Sequence, residues 1–298
     1  MKHIIWWCLA LLVLLPLSAS AMELTEETVF DPLPLQGAAP YDPLPGGFLP
    51  DDAGYHDDSL DVRIETFRRH DTTVMAVRVK ISDPTQLRAA MAARPPSKKT
   101  MVVASMARKN NAVLAINGDY FSYHDRGVVV RNGQQIRSRA TGKRDVLIID
   151  GEGNFRILYR CEEADYEQIR DEVVHAFCFG PGLVIVGQIP ADVSGVDMDI
   201  AQHKPTQRIA IGQTGPLEYL ILATEGPENK GSVGFTIDQM AEMCLEMGCV
   251  NAYNLDGGSS STVVLNNKKI NALSTGKVRP VGDCIYFATL VPGSTKEE

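Results

Sequence analysis

The run Val250-Asn251-Ala252-Tyr253-Asn254-Leu255-Asp256-Gly257-Gly258-Ser259-Ser260-Ser261-Thr262 decides how the chain is read. Its first half is a β-forming strand. Residues 254–262 then hold one carboxylate, two glycines and four hydroxyl side chains. Glycines in such a corner let backbone N–H groups approach a ligand closely. Hydroxyls donate to phosphate or sugar oxygens. The Asp256 carboxylate suits a base, a nucleophile or a metal ligand. A tight polar turn between two strands explains the same composition, so the neighbouring segments must decide.

Working outward, Thr236-Ile237-Asp238-Gln239 is a capping box. Ile237, Met240, Ala241, Cys244 and Leu245 lie on one helical face, and Gly248 ends the helix. Before it, Leu217 to Ala223 reads as a strand that runs into Thr224-Glu225-Gly226-Pro227. Strand, helix and strand with short links predict a βαβ unit with parallel strands. Parallel strands carry Glu225 and Asp256 to the same carboxyl edge, where open α/β sheets bind ligands. Ala112 to Ile116 is another buried-strand run, ending in Asn117-Gly118-Asp119-Tyr120-Phe121. If it joins the same sheet, Asp119 becomes a third carboxylate at the crevice. The expected fold class is α/β (α+β): a mixed β-sheet core, flanking helices and a C-terminal βαβ unit in a single catalytic domain, residues 55–292.

The remaining periodicities fill in that domain. Residues 60–68 and 73–81 predict a hairpin about Asp71-Thr72. Thr85 to Met91, Met101 to Lys109 and Ala164 to Val174 predict helices. Short strands are expected over 127–130, 134–136, 145–149, 155–158, 208–212, 261–265, 268–271 and 283–289. Arg126, Arg131, Arg137, Arg139, Lys143 and Arg144 make one region basic. Solvated strand faces account for most of them, with one or two free to meet a phosphate. Residues 190–204 read as a loop near the site, carrying Asp192, Asp197, Asp199 and His203 without the spacing of a calcium loop. Arg279 precedes Pro280 and is placed to swing into the crevice.

The chain has 298 residues and a formal net charge of −8, a poor match for general nucleic-acid binding. Lys2, the apolar run Ile4 to Leu17 and Ala19-Ser20-Ala21 form a signal-peptide pattern, with cleavage expected after Ala21. The apolar run is short for a membrane span, and no integral span is expected after cleavage. Residues 22–54 are rich in proline and read as a flexible lead, and 293–298 as a tail. Cleavage would leave Cys161, Cys178, Cys244, Cys249 and Cys284. Their odd number leaves at least one thiol free or paired between chains. Buried thiols are the favoured reading and a Cys161–Cys178 bridge the alternative.

Asn117-Gly118-Asp119-Tyr120-Phe121, Arg208-Ile209-Ala210-Ile211-Gly212, Gly234-Phe235-Thr236, Asn254 to Thr262 and Arg279 stand in a characteristic order. In these motifs, over roughly residues 60–289, the chain resembles the phosphodiester glycosidase family. Two positions depart from the family pattern: Ser259 stands where a third glycine is usual, and Ile209 where a threonine is usual. The resemblance implies cleavage of the bond between a sugar's anomeric carbon and a phosphate. Asp256 is then the leading carboxylate, as base or nucleophile, with Glu225 second and Asp119 third. Arg208 and His203 would hold the phosphate, helped by Gly257, Gly258, Ser259 and Ser260. Asn117, beside Gly118, would fix a sugar hydroxyl or the 2-substituent.

No cofactor is expected, and a calcium ion on Asp119, Asp256 and backbone carbonyls is the auxiliary possibility. The partner would be a sugar-phosphate or glycopolymer substrate outside the cell or at its envelope. A serine hydrolase is disfavoured, because residues 257–261 lack the closing glycine of Gly-x-Ser-x-Gly. A non-catalytic glycopolymer-binding module is the alternative from another class. The cleavage reading has a direct check: protein recovered from the medium or envelope is expected to begin at Met22, as read by N-terminal sequencing, and an intact Met1 terminus overturns it.

Overall fold

Three antiparallel sheets close around one core. The structure, a computed structural model, describes residues 30–123, 125–193, 204–229, 231–272 and 276–293. The expected signal segment with its cleavage site, as well as Asp197, Asp199 and His203, lies outside the described residues. The chain runs β1 (Gly54–His56), β2 (Leu60–Arg69), β3 (Thr72–Ile81), β4 (Leu87–Met91), α1 (Val103–Lys109), β5 (Leu114–Asn117), β6 (Gly127–Arg131) and β7 (Gln134–Arg139). It continues through β8 (Val146–Asp150), β9 (Phe155–Leu158), α2 (Glu163–Glu167), β10 (Val173–Phe177), β11 (Gly182–Val184), β12 (Ile209–Gly215) and β13 (Glu218–Thr224). Then come α3 (Ile237–Glu246), β14 (Asn251–Leu255), β15 (Val263–Leu265), β16 (Lys268–Lys269) and β17 (Asp283–Phe287).

The largest sheet has the order β1-β2-β3-β13-β12-β14-β11, and the two five-stranded sheets run β7-β6-β10-β8-β9 and β16-β15-β5-β17-β4. β12 lies antiparallel between β13 and β14, so those two are parallel to each other and joined by α3. The βαβ unit is therefore present with a strand inserted in it. β13 already pairs with β3 on one side and with β12 on the other, which leaves β14 only the far edge of β12.

Burial explains the continuous apolar runs. Ile209, Ile211, Ile221, Ala223, Tyr253 and Leu255 face a central core shared with Leu114, Ile116, Leu147, Phe177, Val263 and Phe287 of the other sheets. Their neighbours Ala210, Leu220, Leu222 and Ala252 face the opposite way, under Ile237, Met240, Ala241 and Cys244 of α3. Strands buried on both faces lose the polar alternation of a half-exposed strand. The Thr236 capping box holds the start of α3 as expected. α1 covers the outside of β5 and β17, and Tyr166 of α2 packs on β6 and β8. Among the described residues no helix is long and apolar enough to cross a membrane.

Several expectations are corrected. β5 belongs to a different sheet from β13 and β14, because β15 and β17 take both of its edges. Residues 85–91 form a single 3₁₀ turn and then β4, not a helix, since β17 offers a five-residue ladder. The helix expected over 164–174 stops at Glu167, and a 3₁₀ turn leads into β10, which pairs with β6 and β8. The proline-rich stretch is no loose lead over residues 30–54. Leu33 and Ala39 are buried, and the buried Arg88 guanidinium donates to the carbonyls of Pro34 (2.7 Å) and Gly37 (3.2 Å). Prolines without N–H groups leave extended carbonyls that need such a donor. All five described cysteines are free and buried, with no Cys161–Cys178 bridge.

Arg131 overturns the reading of the basic segment. It is not on a solvated face but 1% exposed, with its guanidinium over the Phe177 ring at 3.8 Å. Its Nε donates to Asp283 Oδ2 (2.8 Å) and its Nη2 to Asp119 Oδ1 (3.0 Å), while Nη1 donates to the Ala176 carbonyl. Removing one member of a buried ionic cluster strands the rest; a shape-matched apolar replacement of the whole does not. Arg131→Met alone is thus expected to lose about 3–5 kcal/mol in urea unfolding. The combined Arg131→Met, Asp119→Asn, Asp283→Leu variant should recover a large part of that loss.

Candidate active site

The edge of the large sheet assembles the site. Ile209 of β12 pairs with Ala223 on one side and Leu255 on the other. Arg208 therefore stands between Thr224 and Asp256, where β12 begins and β13 and β14 end. Arg208 N donates to Thr224 Oγ1 and Thr224 N to the Arg208 carbonyl, both at 2.9 Å.

The corner after β14 is held against β12 by close backbone approach. A Cβ at Gly257 would lie 2.7 Å from the Gln207 carbonyl oxygen, so no larger residue fits. Gly258 has φ +56°, and its N–H donates to the same carbonyl at 2.9 Å. The Ser260 and Ser261 amides are spent inside the turn, on the Gly257 and Gly258 carbonyls. Among the described residues, the Gly257 and Ser259 N–H groups carry no such bond and are the two left for a ligand. Ser259 does not take a left-handed φ, so its departure from the family glycine costs no backbone strain. Ile209, the other departure, is fully buried in the core and leaves the site chemistry alone.

Arg208, Asp256, Gly257, Gly258, Ser259 and Arg279 all line one cavity of about 220 Å³. Ligand pockets usually measure roughly 300–1,000 Å³, so this cavity is a small one that suits a compact ligand. Phe179, Thr206, Gln207 and Asn254 complete its wall. Sequence reasoning missed Phe179, Thr206 and Gln207, of which Gln207 flanks the recognised Arg208 motif; Asn254 stands inside the 254–262 motif but was given no role. Two larger depressions, about 850 and 730 Å³, lie along β6 and β10 and beside residues 56–61. They contain none of the motif residues, and size alone does not make them sites.

Asp256 is 8% exposed. Burial pushes its carboxyl above the usual range; Ser260 and the Arg279 charge pull it down, and Asp119 adds to the rise. Ser260 Oγ sits beside the carboxylate without forming a well-directed hydrogen bond, so its pull is weak. Burial lowers Arg208 to about 10, with Asp238 opposing, so the guanidinium stays charged at neutral pH. Its Nε donates to the Phe235 carbonyl (2.7 Å) and its Nη2 to the Lys204 carbonyl (3.1 Å). A nearly buried cation and a carboxylate that resists ionising line the same cavity, which suits an added anion.

The other expected residues fall elsewhere. Asn117 is buried beneath the corner: Nδ2 donates to the Asp256 carbonyl (2.8 Å) and Oδ1 accepts from Thr262 N (3.0 Å). It braces the corner and is not part of the cavity lining. Gly118 packs against Asp283, where a Cβ would lie 2.5 Å from Oδ1. Asp119 is buried, with Oδ1 held by Arg131 and Phe121 N and Oδ2 by Cys178 N. A calcium ion on Asp119 would have to displace these donors. Burial and Asp119 push the Asp283 carboxyl well up against the pull of Arg131, which keeps the triad near neutrality. Glu225 lines a neighbouring cavity of about 250 Å³ with Thr66, Thr73 and Asn271, and accepts from Ser232 Oγ at 2.5 Å. Ser260 is fully buried behind Asp256.

With this geometry in hand, the chain matches the phosphodiester glycosidase family over residues 110–288. It is 29% identical over 193 residues to the SPbeta prophage-derived uncharacterized protein YomE of Bacillus subtilis (strain 168). That match takes in 62% of this chain and only 29% of the relative's length. Its fold is shared with the catalytic domain of zebrafish N-acetylglucosamine-1-phosphodiester alpha-N-acetylglucosaminidase, auto-inhibited by its pro-peptide: TM-score 0.63, 17% identity, 80% of this chain and 86% of that one. A hypothetical protein from Synechocystis (TM-score 0.57, 14% identity, 77% and 62%) has it too. So does a Burkholderia pseudomallei K96243 protein described as exported (TM-score 0.53, 13% identity, 73% and 74%).

Because folding raises the Asp256 pKa, the folded chain holds that proton more tightly than the unfolded one, and stability falls as pH rises through the interval between the two values. Asp256→Asn removes the penalty. Its melting temperature should exceed that of the wild type at neutral pH, and the gain should vanish at about pH 3, below the unfolded aspartate value.

Proposed function

We propose a reaction for this chain, which belongs to the phosphodiester glycosidase family: hydrolysis of a sugar-1-phosphodiester, with N-acetylglucosamine-1-phosphodiesters as the model substrate. Water adds, the bond between anomeric carbon and phosphate oxygen breaks, and a free sugar and a phosphomonoester leave. The observation that carries this reading is the convergence of one carboxylate, Asp256, and one nearly buried cation, Arg208, on a single small cavity of about 220 Å³.

Arg208 and the Gly257 and Ser259 N–H groups bind the phosphate. Arginine suits this role because its planar fork grips two phosphate oxygens. Asp256 acts on the anomeric side, as base toward water or as nucleophile. A phosphate leaves readily, so no strong acid is needed at the leaving oxygen, and Asp256 is the carboxylate lining the cavity. Glu225 follows the strand two places away from β14. Glu225 lines the neighbouring cavity and not the one that Asp256 lines, which argues against a direct partnership of the two carboxylates. Thr206 and Asn254, which line the cavity, face the sugar. The signal pattern supports action outside the cytoplasm, on cell-surface or extracellular glycopolymers.

The test uses residues 22–298 and an N-acetylglucosamine-1-phosphodiester, with released sugar quantified. Asp256→Asn is expected to lose about 10²–10⁴ in kcat, the range for a positioned acid or base. Arg208→Lys, which loses the fork, should raise KM. The acid limb of the pH profile should lie above the ordinary aspartate range, and Arg279→Gln should shift it further up, because the Arg279 charge is one of the two groups, with Ser260, that lower the Asp256 pKa. Chelator is expected to change nothing. A folded wild type that binds a panel of sugar phosphodiesters and releases no sugar from any would favour a glycopolymer-binding module instead.

A further inference from the structure

Two sulfurs meet where α3 hands the chain on to β14. The helix ends in a Schellman turn. Gly248 has φ +92°, its N–H donates to the Leu245 carbonyl, and the Cys249 N–H donates to the Cys244 carbonyl, both at 3.0 Å. Such a turn sets the side chain after the glycine against one from the last helical turn, commonly as an apolar contact. Here both residues are cysteines. They are buried, and the Cys244 thiol is hydrogen-bonded to that of Cys249. Standard bond lengths across the 3.0 Å backbone bond keep the two Cα atoms within about 7 Å, the limit beyond which a disulfide does not close.

The strand beneath leaves room for the sulfur. A Cβ at Gly212 of β12 would lie 2.5 Å from Cys249 Sγ, so a glycine at that point of the strand is what lets the thiol settle there. The pairing is also unambiguous. Cys244 and Cys249 share the core cluster under α3, whereas Cys161 and Cys178 pack in another and Cys284 in a third.

We propose that Cys244 and Cys249 are a disulfide site, closed when the chain folds in an oxidising compartment and open when it folds in a reducing one. Export, as the signal pattern implies, would place the chain in the first. The oxidant is a second disulfide, RSSR, of a small thiol or of a disulfide-exchange protein. One cysteine thiolate attacks it, forms a mixed disulfide and expels RS⁻, which takes up a proton. The other thiolate then attacks the cysteine sulfur of the mixed disulfide and expels the second RS⁻. The two thiols thus give up two protons and two electrons, and RSSR leaves as two RSH. The contact with Cys249 and burial push the Cys244 thiol well up, so the folded, reduced chain exchanges slowly and the bond forms during folding. Once closed, it pins the end of α3 to β14, the strand that leads into Asp256.

The experiment folds the reduced full chain from urea in glutathione disulfide, blocks the remaining thiols with iodoacetamide, and digests with trypsin and a glutamate-specific protease. Glu246 lies between the two cysteines, so cutting after it separates them unless sulfur joins them. The expected result, read by mass spectrometry, is one linked species that parts into two fragments on reduction. Both cysteines alkylated, or either one joined to a different cysteine, overturns the proposal. The linked chain should also melt about 4–6 °C above the same chain in dithiothreitol, the scale for a short closed loop. That gap should vanish in Cys244→Ala and persist in Cys161→Ala. A linked chain that melts together with the reduced one overturns the pinning of α3 to β14. None of these readouts depends on sugar release, so the disulfide and the proposed reaction stand or fall separately.

Discussion

Arg131 with Asp119 and Asp283 is the interaction on which this structure turns. The three residues come from the end of β6, the corner after β5 and the start of β17, so one guanidinium ties two sheets together inside the protein. Away from water, a lone charge would be ruinous and a paired one is held hard. Burial works against the Arg131 charge, and the two carboxylates overcome it. Neither carboxylate is then available for chemistry. What they do is position: Asp119 fixes the aromatic turn at 121–123, and Asp283 packs against Gly118 next to Asn117. Asn117 in turn clasps the corner that carries Asp256.

The active corner is built by proximity where the rest of the fold is built by burial. β12 and β14 approach so closely at Gln207 and Gly257 that a side chain at 257 has no room. That approach brings Arg208 and Asp256 to one cavity with opposite costs. Arg208 keeps its charge on backbone carbonyls, and Asp256 is reluctant to take its charge up. Burial therefore works against the charge of both groups.

Periodicity and local chemistry were sufficient for a good part of this. The capping box at 236–239, the glycine at 248 and the apolar runs on either side determined β13, α3 and β14 with their common direction. The glycine-serine corner determined that Asp256 would sit at a sheet edge, and the Arg208 segment that a cation would start the next strand. These features are local, because a strand, a cap or a tight turn is decided within a few residues by φ/ψ and hydrogen-bonding preferences.

Which strands become neighbours, and which charges become buried, only the tertiary structure decided. Nothing near Arg131 marks it off from Arg126 or Arg137; its burial comes from Asp283, 152 residues away. Asp119 and Asp256 have similar surroundings in sequence, each just past a strand and next to glycine, yet one is locked in an ion pair and the other opens on a cavity. β12 enters between β13 and β14 because a hairpin claims the edge that a simple βαβ unit would use. The residues 30–54 strap reads as a linker until Arg88 is seen to need its carbonyls. Pairing and desolvation are long-range, so the same residue types take opposite roles according to what the fold sets beside them.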